Sequence, residues 1–250
     1  MSVIMTRIVH ASVVLDFGGA RILTDPWLSE RRFYRHGEPR SVAAASHLPE
    51  LAGVVISHGH YDHCDLDALA GYPDKSVPFA VVRGLGARVR AAGFADVVEL
   101  DPWQSTHLGP VEVTAAPAAH GVREITFVLR GDGAEIFFGA DTLRIAELDE
   151  IARRFPKLDL ALLPTNGLRI RPALNRQVVM DADQAAELTR VLRPRLAVPI
   201  HYAFTSGPLG DRFMTKADRD PEHFRAAAAV LAPDTTVHIL PTGQPLTITP

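Results

Sequence analysis

Cysteine is almost missing from this chain. Cys64 is the single one in 250 residues, so no internal disulfide can form, and a reducing compartment is expected. Long hydrophobic runs are missing too. No uninterrupted apolar segment reaches the ~20 residues that a membrane-spanning helix needs, so no membrane span is expected. The N-terminal apolar stretch is broken by Arg7, His10 and Asp16, which argues against a signal peptide. A cytoplasmic location follows as the expectation. There is no lysine-rich tract or basic tail, and the net charge is −3, so nucleic acid is not an expected partner. Low-complexity segments and interdomain linkers are also lacking. One domain over residues 1–250 is expected, with no internal repeat visible.

What is present is an ordinary globular composition, 47% hydrophobic and 22% charged, enough for a sizeable core. Histidine is the exception, with eleven residues whose positions matter more than their number. The stretch Ser57-His58-Gly59-His60-Tyr61-Asp62-His63 follows the apolar run Leu51 to Ile56, which reads as a buried strand. His58 and His60 would diverge on a helix but can converge on a tight loop, where Gly59 lets the backbone turn. Asp62 can cap a helix over Cys64 to Leu69 or offer its oxygen to a metal.

The remaining elements follow from period and punctuation. Arg7 to Asp16 and Ala20 to Thr24 read as a hairpin around Gly18-Gly19, with Asp25 at the strand exit before Pro26. Ser29 to Pro49 has no period and holds Arg31, Arg32 and Arg35. It reads equally well as a binding loop for an anionic substrate or as a solvated connection. Strands are expected at Ser76–Val82, Val97–Leu100 and Val111–Ala116, and a helix over Leu85–Ala92. Gly131-Asp132-Gly133 marks a hairpin between 124–130 and 134–138. A helix over about Ile145 to Phe155 and a strand over Leu158–Leu163 come next. Asp181 and Gln184 resemble a capping box for a helix over Ala182–Leu192. Leu196–Ile200 is a strand, and Asp220-Pro221 opens a helix to Leu231. Val237–Leu240 and Leu246–Ile248 read as a final hairpin. Both halves begin strand-rich and contain strand–helix–strand units, which suggests two similar lobes sharing one interior.

Four separate apolar strands therefore end in a potential ligand: Ile56 before His58, Ala116 before His120, Phe138 before Asp141, and Ile200 before His201. In sheets covered by helices, sites form where loops converge beyond the strand ends. The set is five histidines and two aspartates: His58, His60, His63, His120, His201, Asp62 and Asp141. Seven donors exceed one tetrahedral catalytic zinc, which takes three protein ligands and water, and they suit two metals with one aspartate bridging. Imidazole and carboxylate favour Zn²⁺, with Mn²⁺ or Fe²⁺ as alternatives.

His58-Gly59-His60-Tyr61-Asp62-His63 resembles the signature of the metallo-β-lactamase superfamily, and His120, Gly139-Ala140-Asp141-Thr142 and Pro199-Ile200-His201-Tyr202 extend the resemblance. Ile22-Leu23-Thr24-Asp25-Pro26-Trp27 is similar to one branch, which includes the phosphorylated-ascorbate lactonase and the N-acyl phosphatidylethanolamine phospholipase D. The resemblance implies an α/β fold, a four-layer αββα sandwich. It implies that His58, His60 and His120 hold a first metal, that Asp62, His63 and His201 hold a second, and that Asp141 bridges. Asp25 would lie behind them, orienting a ligand histidine. Where the branch has glycine before the histidine of its first strand, this chain has Val9, and His10 reads as a structural histidine.

The implied function is a metal-dependent hydrolase that uses a dinuclear, metal-activated hydroxide on a small ester, lactone or phosphodiester. Asp62 would be catalytic, accepting a proton, and Tyr202 and Asn166 are candidates for contacting substrate. The expected partner is an anionic small molecule, with a homo-oligomer left open. Rival readings are a nuclease-type phosphodiesterase, which would need a basic face, and a silent metal-binding protein, which would be expected to have lost a ligand. A redox di-iron protein is disfavoured, because the oxygen-reducing relatives carry glutamate where this chain has His60.

Overall fold

Residues 2–250 are described in a computed structural model. The apolar, β-branched runs become strands of two seven-stranded sheets. The first comprises β1 (Val3–Val9), β2 (Ser12–Phe17), β3 (Ala20–Thr24), β4 (Gly53–Ile56), β5 (Phe79–Val82), β6 (Val97–Leu100) and β17 (Pro245–Ile248), in the order β17-β1-β2-β3-β4-β5-β6. The second comprises β7 (Ser105–Leu108), β8 (Val111–Ala116), β9 (Thr126–Gly131), β10 (Ala134–Phe138), β11 (Leu160–Pro164), β14 (Leu196–Ile200) and β16 (Thr236–Val237), in the order β16-β14-β11-β10-β9-β8-β7. In each sheet one part is antiparallel and the other parallel: β3 to β6 in the first, and β10, β11, β14 and β16 in the second.

The two-residue period of a strand sorts side chains between layers. Ile136, Phe138, Leu160 and Leu162 enter the large core shared with the first sheet. Their neighbours Phe137, Ala161 and Leu163 face the other way, onto α3 (Asp149–Arg154), α4 (Ala182–Leu192) and α6 (Pro221–Leu231). The outer face of the first sheet is covered by α1 (Leu66–Leu69) and α2 (Gly86–Ala91), through Leu69 and Val89. The result is the four-layer αββα sandwich. Phe127, Phe137 and Phe138 are fully buried, each worth about 1.5–3 kcal/mol of apolar transfer. Gly53 is needed where the sheets approach closely, because a Cβ there would lie 2.7 Å from the Leu108 side chain. No helix among the described residues is long and apolar enough to cross a membrane.

Four expectations are corrected. Arg7 to Asp16 is two strands, β1 and β2, because the chain reverses at His10, whose φ of +57° is left-handed. The final hairpin does not form: Thr236–Val237 pairs parallel with β14, whereas Pro245–Ile248 pairs antiparallel with β1, so the two segments join different sheets. The cap of the short helix after the histidine loop is Asp65, whose side chain accepts from the Ala68 amide, and Asp62 is free for other contacts. Two stretches in which no element is expected contribute a third, small sheet, β13-β12-β15, from β12 (Arg169–Ile170), β13 (Arg176–Gln177) and β15 (Met214–Thr215). The capping box at Asp181 and Gln184 forms as the spacing predicts.

Candidate metal centre

The C-terminal ends of β4, β8, β10 and β14 open onto one side of the sandwich, and the turns after them aim side chains at a common point. Left-handed backbone occurs here at residues other than glycine: Ala140 (φ +45°) and His201 (φ +61°) after β10 and β14, and Asp25 (φ +34°) and His10 after β3 and β1. Such conformations cost about 1–3 kcal/mol each and persist where the surroundings over-determine them, commonly at functional sites. Gly139 is required before Asp141, since a Cβ there would lie 2.9 Å from the Leu162 carbonyl oxygen.

His58, His60, Asp62, His63, His120, Asp141 and His201 all meet at this point. In one group, the His60 Nδ1 lies 3.0 Å from the His58 Nε2 and 3.2 Å from the His120 Nε2. The His120 Nδ1–H donates to the Val178 carbonyl at 2.6 Å, which leaves its Nε2 as a lone pair facing the group. In the other group, the Asp141 Oδ1 lies 3.1 Å from the His63 Nε2 and 3.0 Å from the His201 Nε2. The Asp62 Oδ2 is 3.9 Å from each of those two nitrogens. The second oxygen of Asp141 points back to the first group, 3.9 Å from the His120 Nε2.

His63 Nε2, His201 Nε2 and Asp141 Oδ1 are buried and make no hydrogen bond. A buried unsatisfied polar atom costs about 1–3 kcal/mol. Electron-rich atoms converging from three separate strands are the donor set a divalent cation satisfies, and the residues fit such an ion. The electrostatics agree. Burial would raise the carboxyls of Asp62 and Asp141, but the facing histidines hold both below the usual range: His63 and His10 for Asp62, His201 and His63 for Asp141. Burial would lower His63, yet Asp141 and Asp62 hold it well above its ordinary value. Two carboxylates thus face the point where a cation would sit.

Supporting contacts fix the rings. The Asp25 Oδ2 accepts from the His63 Nδ1 at 2.7 Å, and the Asp25 carboxylate also accepts from the amide and hydroxyl of Ser57. Ser57 Oγ is in turn 2.9 Å from the His58 Nδ1. Glu124 had no sequence signal beyond its place at the start of a strand, yet it is fully buried here. It accepts from the Asp141 amide at 2.8 Å and lies 3.5 Å from the His58 Nδ1. Burial, then Asp141, push its carboxyl well above the ordinary range. His10 is also closer to the centre than a strand-end residue need be. Its Nε2 is 3.6 Å from the Asp62 Oδ2, its ring is 4.0 Å from that of His201, and burial holds it down to about 3.

Other expected contacts lie elsewhere. The Tyr202 hydroxyl accepts from Arg7 at 2.7 Å, away from the donor groups. The Asn166 Oδ1 accepts from the Leu168 amide within its own loop. Two arginines of the 29–49 loop are engaged outside the centre: Arg31 pairs with Asp67 and stacks 3.9 Å over Tyr61, and Arg32 covers Phe33. That loop delivers Tyr34 to the centre instead, packed edge-on against Tyr61. Above Asp62, His120 and Asp141 is a cavity of about 200 Å³, partly roofed by the small third sheet. A larger cavity of about 480 Å³, lined by Asp159 and Arg195, sits at the opposite ends of β11 and β14, away from the donor cluster.

Residues 20–202 match the family described as the beta-lactamase superfamily domain. Among relatives, a metal-dependent hydrolase of Caldivirga maquilingensis is 24% identical over 96% of this chain and 95% of its own. An uncharacterized protein of Mycobacterium tuberculosis is 33% identical over 62% of this chain, but the match spans only 46% of that protein, about half its length. Among solved structures, a metallo hydrolase from the archaeon Ignicoccus hospitalis aligns over 100% of this chain and 99% of its own, with a TM-score of 0.78 and 21% identity, a likeness of fold.

Proposed function

This chain belongs to the β-lactamase superfamily, and from that premise we propose that it is a metal-dependent hydrolase that holds two divalent ions and cleaves a small ester, lactone or phosphodiester. His58, His60 and His120 would hold one ion, and Asp62, His63 and His201 the other, with Asp141 shared between them. The observation that carries this reading is Asp141, whose two oxygens face the two histidine groups from between them. The donor set of imidazole and carboxylate favours zinc, with manganese or iron as alternatives.

When bound, the ions supply Lewis acidity, lowering the pKa of water and polarising a carbonyl or phosphoryl oxygen. The chain's own residues orient, hold protons and exclude solvent. Asp62, whose Oδ2 faces the His63 and His201 rings, would accept a proton from the attacking water. Asp25 keeps the His63 Nδ1 protonated and its Nε2 turned inward. The Val178 carbonyl does the same for His120. Tyr34 is the hydroxyl-bearing residue that lines the cavity and would orient a bound oxygen.

Elemental analysis of the purified protein, with a panel of ester, lactone and phosphodiester substrates, tests the proposal. Two equivalents of divalent metal per chain and turnover of at least one class are expected. A single equivalent would count against the shared Asp141. Bound metal with turnover of no class would favour a metal-binding protein without catalysis.

A further inference from the structure

The cavity above the donor cluster has walls of one chemical kind. Besides the donors His60, Asp62, His120 and Asp141 and the Gly121-Val122 turn, it is lined by Leu168, Ile170, Val178, Phe204 and Met214, with Tyr34 at its edge. No lysine or arginine lines it. Arg83, Arg88 and Arg123 line a separate, adjoining cavity that shares only His60 and Val122 with this one, and the cations on the roof side are committed elsewhere. Lys216 is buried behind the Phe204 ring, 4.7 Å from its centroid, and its ammonium donates to the Met214 carbonyl and to Asp211. The Arg169 guanidinium bonds the Gln177 side chain.

The roof explains why the walls are apolar. In a strand, adjacent side chains take opposite faces. Ile170 of β12 is paired in register with Met214 of β15, and both line the cavity, while Arg169 is turned outward to Gln177. Leu168 and Val178 flank this pair and, with Val179, form a small hydrophobic cluster separate from both cores of the sandwich. Their apolar surface is therefore spent on the cavity rather than on holding the sheets together.

From these contacts we infer that the substrate presents an uncharged, apolar group to this cavity, not a phosphate or a carboxylate; the inference rests on the hydrolase reading above. An anion held against these walls, on the side away from the proposed ions, would lose its hydration without gaining a counter-charge, which is costly. An aliphatic or aromatic group would gain burial instead. The size is bounded as well. An aliphatic cavity of about 150 Å³ accepts benzene, so the 200 Å³ here suits one ring or a chain of roughly six carbons. The substrate class is thus an ester or lactone whose acyl or alkyl portion is short and neutral. Metal ions at the donor cluster would engage the reacting oxygen, and the walls would recognise what is attached to it.

The test uses the metal-loaded, unmodified protein and a series of hydroxamic acids, which bind metal centres without being turned over: the aceto, butano and hexano members, with succinic monohydroxamate as the carboxylate-ended control. Dissociation constants are measured by titration calorimetry. Affinity is expected to rise about fourfold per added methylene up to roughly six carbons. The carboxylate-ended compound is expected to bind at least tenfold more weakly than butanohydroxamate. A flat or falling series, or preference for the carboxylate-ended compound, would overturn the inference. Binding of no member, acetohydroxamate included, would sink the metal-site reading and this inference with it. Met214→Asp is expected to flatten the dependence on chain length, and an undiminished gradient in that folded variant would also count against it.

Discussion

His63 donates its Nδ1–H to the Asp25 Oδ2 across 2.7 Å, joining a strand exit to the loop 38 residues later. The bond selects one tautomer of His63 and leaves its other nitrogen facing Asp141. Asp25 also accepts from Ser57, so its removal frees buried donors as well as a ring. Asp25→Ala is expected to weaken metal affinity about 10- to 100-fold and to destabilise the protein by roughly 1–3 kcal/mol. Competition with a chelator and a thermal melt read the two effects separately; unchanged affinity would deny Asp25 its orienting role.

His60 is the member of the histidine group that touches both of the others. His60→Ala is expected to lower bound metal from two equivalents to one or fewer and to abolish hydrolysis. Full metal content with unchanged turnover would contradict the assignment.

Cys64 follows the histidine motif directly but is inert by position. Burial pushes its thiol from the ordinary 9.0 up to about 12. A folded-state value above the unfolded one stabilises the protein below pH 9, and that contribution is lost as pH rises through 12. Iodoacetamide at pH 8 is expected to leave Cys64 unlabelled in the folded protein and to label it after denaturation. Cys64→Ala should also soften the decline of melting temperature above pH 9. Rapid labelling of the native protein would show the thiolate to be accessible.

In the sequence, the loop with Arg31, Arg32 and Arg35 reads equally as a holder for an anionic substrate or as a solvated connection. Arg31 is instead taken up by Asp67 and Tyr61, and Arg32 by Phe33. Replacing all three by alanine is expected to change KM less than twofold and to cost less than about 1 kcal/mol per exposed pair. A several-fold rise in KM, with kcat retained, would return the loop to the binding site.

The donors were legible because each follows a strand with a strong apolar signature. Phe138 before Asp141 and Ile200 before His201 end strands buried on both faces, and such strands read as continuous hydrophobic runs. The parallel pairing of β10, β11 and β14 then fixes their ends side by side, something the pattern of elements anticipates. Glu124 was not legible: a lone acidic residue before Ile125 looks like any solvated strand end, and only the fold buries it against Asp141. The small sheet was hidden for another reason. Arg169–Ile170 and Met214–Thr215 are strands of two residues, too short to display any period, and they pair across more than forty positions of sequence. The terminal strands misled in the opposite way. Val237 and Leu246 flank a good turn sequence, but the edges of two different sheets compete for them and win.

The small sheet supplies walls and none of the seven converging donors, whereas those donors follow strands of the two large sheets. Selectivity and reactivity are thereby carried on separable parts of the polypeptide. On the proposed reading, exchanging Ile170 or Met214 for larger, smaller or charged side chains would retune which molecules are admitted without disturbing the donor cluster beneath. A lineage built on this plan can change its diet by editing a handful of codons, and a protein engineer can do the same.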